Sequence, residues 1–259
     1  MLVDIGANLT HQSFQKDLEE VLNRAFDNSV AHLMVTGTCL SSSQAACNLA
    51  QKYPSKLSAT AGIHPHESES FTEADLIELA ALSKQPYVRA LGEMGLDYNR
   101  DFASRQAQMF AFEQQLQLAV ELQLPVFVHE RDAADDMLAL LSTYRAKLVN
   151  VVVHCFTGAE STLKSYLDLD AHIGITGWIC DERRGTHLRD LVRLVPRGRL
   201  MLETDSPYLM PRDYPAKKQL QSGRRNEPCT LKHIAQTVAS CRGESLEELS
   251  EHTSLTSET

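Results

Sequence analysis

Histidines and carboxylates recur in this sequence where short apolar runs stop. Asp4 and Asn8 close the first run; Ile63-His64-Pro65-His66 follows the third. Glu93 stands between Gly92 and Gly95 straight after Tyr87–Leu91, and His129-Glu130-Arg131-Asp132 follows Pro125–Val128. His154 follows Val149–Val153, and Glu203-Thr204-Asp205 follows Leu200–Leu202. A lone histidine or acid at such a point is usually a hydrogen-bonded structural group or a helix cap. Asp132, directly before the helical pattern that starts at Ala133, reads as a cap, His66 as a solvated ring and Asp97 as a group that orients a neighbour. Recurrence at the ends of several runs calls for more. Two imidazoles and two carboxylates that converge make a divalent-cation site with mixed nitrogen and oxygen ligands, suited to acidifying a water for hydrolysis. Glu93 is then a buried acid whose charge one or two cations compensate, with glycines beside it to leave room for close backbone approach.

Groups from different runs converge only if the runs are strands of one sheet. Met1–Ile5, His32–Val35, Leu57–Ala61, Tyr87–Leu91, Pro125–Val128, Val149–Val153, Ala171–Ile175 and Leu200–Leu202 are strand-like. Each precedes an amphipathic stretch: Phe14–Phe26, Ser42–Tyr53, Glu73–Ser83, Ser104–Leu122, Ala133–Tyr144, Ser161–Leu167, His187–Leu194 and Leu231–Cys241. Continuous apolar strands alternating with helices predict a parallel sheet buried on both faces. Eight such units predict a (β/α)₈ TIM barrel as a single domain over residues 1–259, with its chemistry at the C-terminal strand ends. An open doubly wound sheet is the alternative, disfavoured because no glycine-rich phosphate loop follows the first strand.

The chain has 25 Lys and Arg against 34 Asp and Glu, so no general basic field holds nucleic acid and a local patch is needed. Six cysteines without a C-x-x-C pair and the lack of a leader predict a reduced, cytoplasmic protein. No apolar run approaches the roughly 20 residues of a membrane helix.

The motifs GIHPH (62–66), LGEMGLDY (91–98), PVFVHERDA (125–133), VVHCFTG (152–158), GITGWICDERRG (174–185), LETDSPYLMPR (202–212) and RRNEP (224–228) together resemble the TatD family of metal-dependent deoxyribonucleases, a branch of the amidohydrolase-like barrels. The resemblance implies a 3′–5′ exonuclease acting on single-stranded DNA or RNA ends, a role in DNA repair or degradation, a monomer, and one or two divalent ions. Mg²⁺ is the expected ion, with Mn²⁺ and Zn²⁺ as alternatives. Carried over by motif, Glu93 bridges metals, His129 and His154 are ligands, Asp205 is a ligand and proton acceptor, and His64 faces the phosphate. Arg131, Arg183, Arg184, Arg224 and Arg225 are the candidate substrate clamps, unless they pair with Asp181, Glu182 or Glu227. Trp178, Phe156 and Tyr208 are candidates for base stacking, with core packing the stronger reading of Phe156. Where most members open with an H-x-H metal pair this chain has Gly6 and Asn8, which favours a hard ion held partly by water and substrate. The C-terminus also departs from the family's usual ending. The rival reading is a barrel hydrolase of a small ester, amide or aminoacyl-tRNA; a Glu rather than a Lys after the fourth strand disfavours its lysine-bridged form.

Overall fold

A computed structural model of the chain describes residues 1–215, 220 and 225–258. Eight strands make one sheet in sequence order: β1 (Leu2–Ala7), β2 (Val30–Val35), β3 (Leu57–Ala61), β4 (Val88–Asp97), β5 (Val126–Arg131), β6 (Val151–Val153), β7 (His172–Ile175) and β8 (Leu200–Leu202). Pairings β3–β4, β4–β5, β5–β6 and β7–β8 are parallel, and Ala7 bridges Ser206 in parallel just past β8. This is the expected (β/α)₈ barrel. Helices α1 (Leu18–Asp27), α2 (Leu40–Lys52), α3 (Glu73–Ser83), α4 (Arg105–Leu122), α5 (Ala134–Tyr144), α6 (Glu160–Asp168), α7 (Thr186–Leu191) and α8 (Leu231–Arg242) follow the strands in turn, and α9 (Leu246–Ser257) closes the chain.

Contacts group the chain into two compact units. One comprises residues 1–34, 155–160 and 173–259; the other comprises residues 35–154 and 161–172. In the second unit Leu57, Ala59, Leu91, Met94, Val126, Phe127 and Val128 are buried on the strands, and Leu79, Phe112, Leu116, Met137 and Leu141 on the helices. In the first, Leu2, Ile5, Ile173, Ile175, Leu200 and Leu202 are buried together with Val21, Leu22, Ile234, Val238 and Leu249. These are the apolar positions of strands buried on both faces and of one-sided helices.

Local signals set the boundaries. Thr72 and Asp75 close a reciprocal capping box on α3, and Ser245 and Glu248 do so on α9. The helical reading stopped at Cys241, and the Ser245-x-x-Glu248 pattern is the signal it passed over. Asp132 does not cap α5: it sits at φ 53° and its Oδ2 accepts from Asn99 Nδ2 at 2.8 Å. Glu130 Oε1 instead accepts the Ala133 N–H at 2.9 Å. Among the described residues, no helix is long and apolar enough to cross a membrane.

Candidate active site

Strands β1, β4 and β5 run past their apolar stretches, so several polar residues expected at strand ends lie within strands. Glu93 is the clearest case. Leu91 pairs with Val126 and Met94 with Val128, so three steps on β4 face two on β5, the extra residue of a β-bulge, which re-aims a side chain. Gly92 and Gly95 adopt φ 141° and 136°, and a Cβ on either would strike the carbonyl of Phe127 or of His129 respectively. The glycines are required by both conformation and close approach.

The aimed carboxylate meets three rings within the second unit. Glu93 Oε1 lies 2.9 Å from His129 Nδ1, 3.1 Å from His154 Nε2 and 3.3 Å from His64 Nε2. His154 enters from the end of β6, where its N–H donates to Val128 O at 3.0 Å. His64 follows β3, and its Nδ1 accepts the His66 N–H at 3.1 Å. The proton of a neutral His64 ring therefore sits on Nε2 and points at the carboxylate. His66 Nε2 binds Asp97 Oδ2 at 2.7 Å, and the other Asp97 oxygen accepts the N–H groups of Asn99 and Arg100.

Burial raises the Glu93 carboxyl, but electrostatic attraction to the His154 and His64 rings and hydrogen bonds from His129 and His154 outweigh it, holding the acid well below the usual carboxylate range. Asp97 is likewise lowered, burial being overcome by His129 and His66. Burial pushes His64 down to about 4, against the pull of Glu93. His129 is raised, because Asp97 and Glu93 together exceed its desolvation.

These residues suit a divalent cation. His64, Glu93 and His129 each offer a ligand atom within 4.8 Å of the others. A carboxylate oxygen has two lone pairs, yet three imidazole nitrogens crowd one oxygen of Glu93. Among the described residues the buried Nε2 of His129 has no hydrogen-bond partner, with Asp97 Oδ2 at 3.5 Å. Nitrogens gathered around an acid with one left unsatisfied are the donor set of a cation.

Two buried amides on α4 hold this constellation. Gln115 brackets Ile63, accepting its N–H at 2.8 Å and donating to its carbonyl at 3.1 Å. Gln108 does the same to Asp97, at 2.8 and 3.1 Å, and also donates to Ala103 O. Their separation is two helical turns, the signal that could have flagged them.

Asp205 lies in the first unit at φ 53°, its N–H donating to Gly6 O at 2.8 Å and its Oδ1 accepting from Asn8 Nδ2 at 3.0 Å. The expected arginine clamp divides. Arg131 ends β5, partly buried. Arg183 and Arg184 are exposed around Asp181 at 3.5 and 3.9 Å, and Arg184 also lies over the Trp178 ring. Arg225 is buried, bidentate to Asp17 at 2.8 and 2.6 Å and paired with Glu227 at 2.7 Å, the ion-pair alternative. Arg224 lies outside the described residues. Phe156 is buried, Trp178 partly so, and Tyr208 is exposed against the His11 ring. Phe102, which the sequence reading passed over, is exposed edge-on to His66 with ring centroids 4.8 Å apart.

An eight-stranded parallel barrel with a buried acid ringed by histidines defines a hydrolase of the metal-site barrel class. The profile of TatD related DNases matches residues 3–259, and the chain belongs to that family. It is 48% identical over 248 residues to the 3′-5′ ssDNA/RNA exonuclease TatD of Pantoea sp. (strain At-9b), covering 96% of this chain and 94% of that protein. The exonuclease of the same name from Citrobacter rodentium (strain ICC168) is 48% identical over 257 residues, covering 99% and 96%. The crystal structure of YJJV, a TATD homolog from Escherichia coli K12, superposes with a TM-score of 0.90 at 26% identity, covering 99% of this chain and 96% of that one.

Proposed function

We propose that this nuclease removes nucleotides from the 3′ end of single-stranded DNA or RNA, with a divalent cation, Mg²⁺ in the first instance, held by Glu93, His129 and His154. The observation that carries the reading is the crowding of three imidazole nitrogens on one Glu93 oxygen. Such a cation, when bound, supplies polarisation of the phosphodiester and an acidified water.

The protein's own groups do the rest. Glu93 stays ionised at neutral pH and keeps the cluster anionic. Asp205, its Oδ1 fixed by Asn8, accepts the proton of the attacking water. His64 is neutral near pH 7, and once a cation occupies Glu93 its Nε2–H turns from that carboxylate to a phosphoryl oxygen, a charge-stabilising contact of the kind that dominates phosphoryl transfer. Arg131, Arg183 and Arg184 draw in the phosphate backbone. Identity near one half to exonucleases of this name over nearly the whole chain supports the substrate class.

The test is digestion of a 5′-labelled and a 3′-labelled single strand with Mg²⁺, with Mn²⁺ and with chelator. Expected is a ladder shortening stepwise from the 3′ end, abolished by chelator. Release of a 5′-terminal nucleotide first, or equal rates in chelator, would contradict the proposal.

A further inference from the structure

Outside the Glu93 cluster, a second set of metal-ligating side chains meets within the first unit. Cys180 ends a short turn, Gly177–Cys180, after β7; Asp213 lies in the segment beyond β8; His233 stands in the first turn of α8. Their sulfur, oxygen and nitrogen ligand atoms all lie within 4.8 Å of one another. We infer that Cys180, Asp213 and His233 form a second metal site, one that takes a borderline transition ion of the zinc class.

The donor chemistry selects the ion. A thiolate with an imidazole and a carboxylate suits Zn²⁺ or Co²⁺, whereas Mg²⁺ and Ca²⁺ take oxygen ligands. Three protein ligands leave a fourth position for water. Burial is graded as an entry path requires: Cys180 is fully buried, His233 partly exposed, and Asp213 opens to solvent. The Asp213–His233 contact at 2.7 Å alone would be an ordinary loop-to-helix hydrogen bond, but it does not account for the thiol beside it. Among the described residues, Cys180 Sγ reaches Thr237 Oγ1 at 3.4 Å and the same Asp213 carboxylate. On binding, the thiol proton leaves to solvent and the sulfur lone pair goes to the ion. The Tyr214 ring packs edge-on against His233 at 5.5 Å and orients it.

The three ligands come from three segments, so the ion cross-links the exit of β7, the segment after β8 and α8. Asp205 belongs to that same segment after β8. Occupancy of the second site therefore steadies the stretch of chain that carries Asp205. The sequence hides the site because its ligands are far apart and form no C-x-x-C or H-x₃-H pattern.

Cobalt titration of the metal-free protein separates this site from the other. A thiolate ligand gives Co²⁺ a sulfur-to-metal charge-transfer band in the near ultraviolet, and the Glu93 cluster contains no sulfur. The band is expected to saturate at one equivalent in Glu93→Gln, to appear also in wild type and Cys155→Ser, and to vanish in Cys180→Ser and His233→Ala. Zinc should raise the unfolding temperature of Glu93→Gln and not that of the double variant Glu93→Gln/Cys180→Ser. Cobalt uptake by wild type without the band, or a band that survives Cys180→Ser, would overturn the assignment whether or not the nuclease reading stands.

Discussion

Asn8 donates from Nδ2 to Oδ1 of Asp205 at 3.0 Å, so a residue that looks like a missing metal ligand is a partner of the proposed proton acceptor. A hydrogen bond to a charged group contributes about 1.5–3 kcal/mol. Asn8→Ala is therefore expected to lower kcat roughly 10- to 100-fold with KM little changed. Steady-state kinetics on a short single strand checks this; an unchanged kcat would detach Asn8 from the chemistry.

Gln108 satisfies both backbone groups of Asp97 from inside the core. Gln108→Leu leaves them unpartnered, at a cost of roughly 2–3 kcal/mol of stability. Urea unfolding measures it. A loss under about 0.5 kcal/mol, within the range of ordinary surface substitutions, would show that water replaces the amide.

The sequence made the barrel legible because hydrophobic patterning and element alternation are local properties. Glu93, His129 and His154 were legible too, as polar residues at the limits of apolar runs. What escaped was set by tertiary contact. Extended strands carried Glu93 and His129 into the sheet, and a bulge aimed Glu93. Arg225 looked like a loop cation, but Asp17, distant in sequence, claims it. His66 reads as a solvated ring, yet it is hydrogen-bonded to Asp97, which reads as a group that orients a neighbour and stands beside His129.

Asp4 is fully buried, and burial, opposed by hydrogen bonds from Thr204 and Gly6, pushes its carboxyl up to about 7. An acid raised on folding contributes stability that is present below its unfolded value near 3.8 and is lost as pH rises toward 7. Asp4→Asn keeps the shape without the charge. Its stability should exceed wild type increasingly between pH 4 and 7, by on the order of 4 kcal/mol at most. Parallel curves for the two proteins across that window would contradict the shift.

Phe102 stands exposed beside His66, where an unpaired base can stack. Stacking contributes about 1–3 kcal/mol per base, so Phe102→Ala should raise KM for oligonucleotides about 5- to 150-fold. Phe102→Trp should restore it, and hydrolysis of a simple aryl phosphodiester should not change. An equal loss on both substrates would mean the ring supports the loop instead.

The Glu93 cluster is proposed above as the metal centre of the nuclease. Calorimetric titration of Mn²⁺ into wild type and Glu93→Ala, with 3′-end nucleotide release followed in the same samples, decides this. Folded Glu93→Ala is expected to lose the high-affinity binding event and nucleotide release together. Full turnover by folded Glu93→Ala, or Mn²⁺ binding as tight as wild type's alongside lost activity, would contradict it.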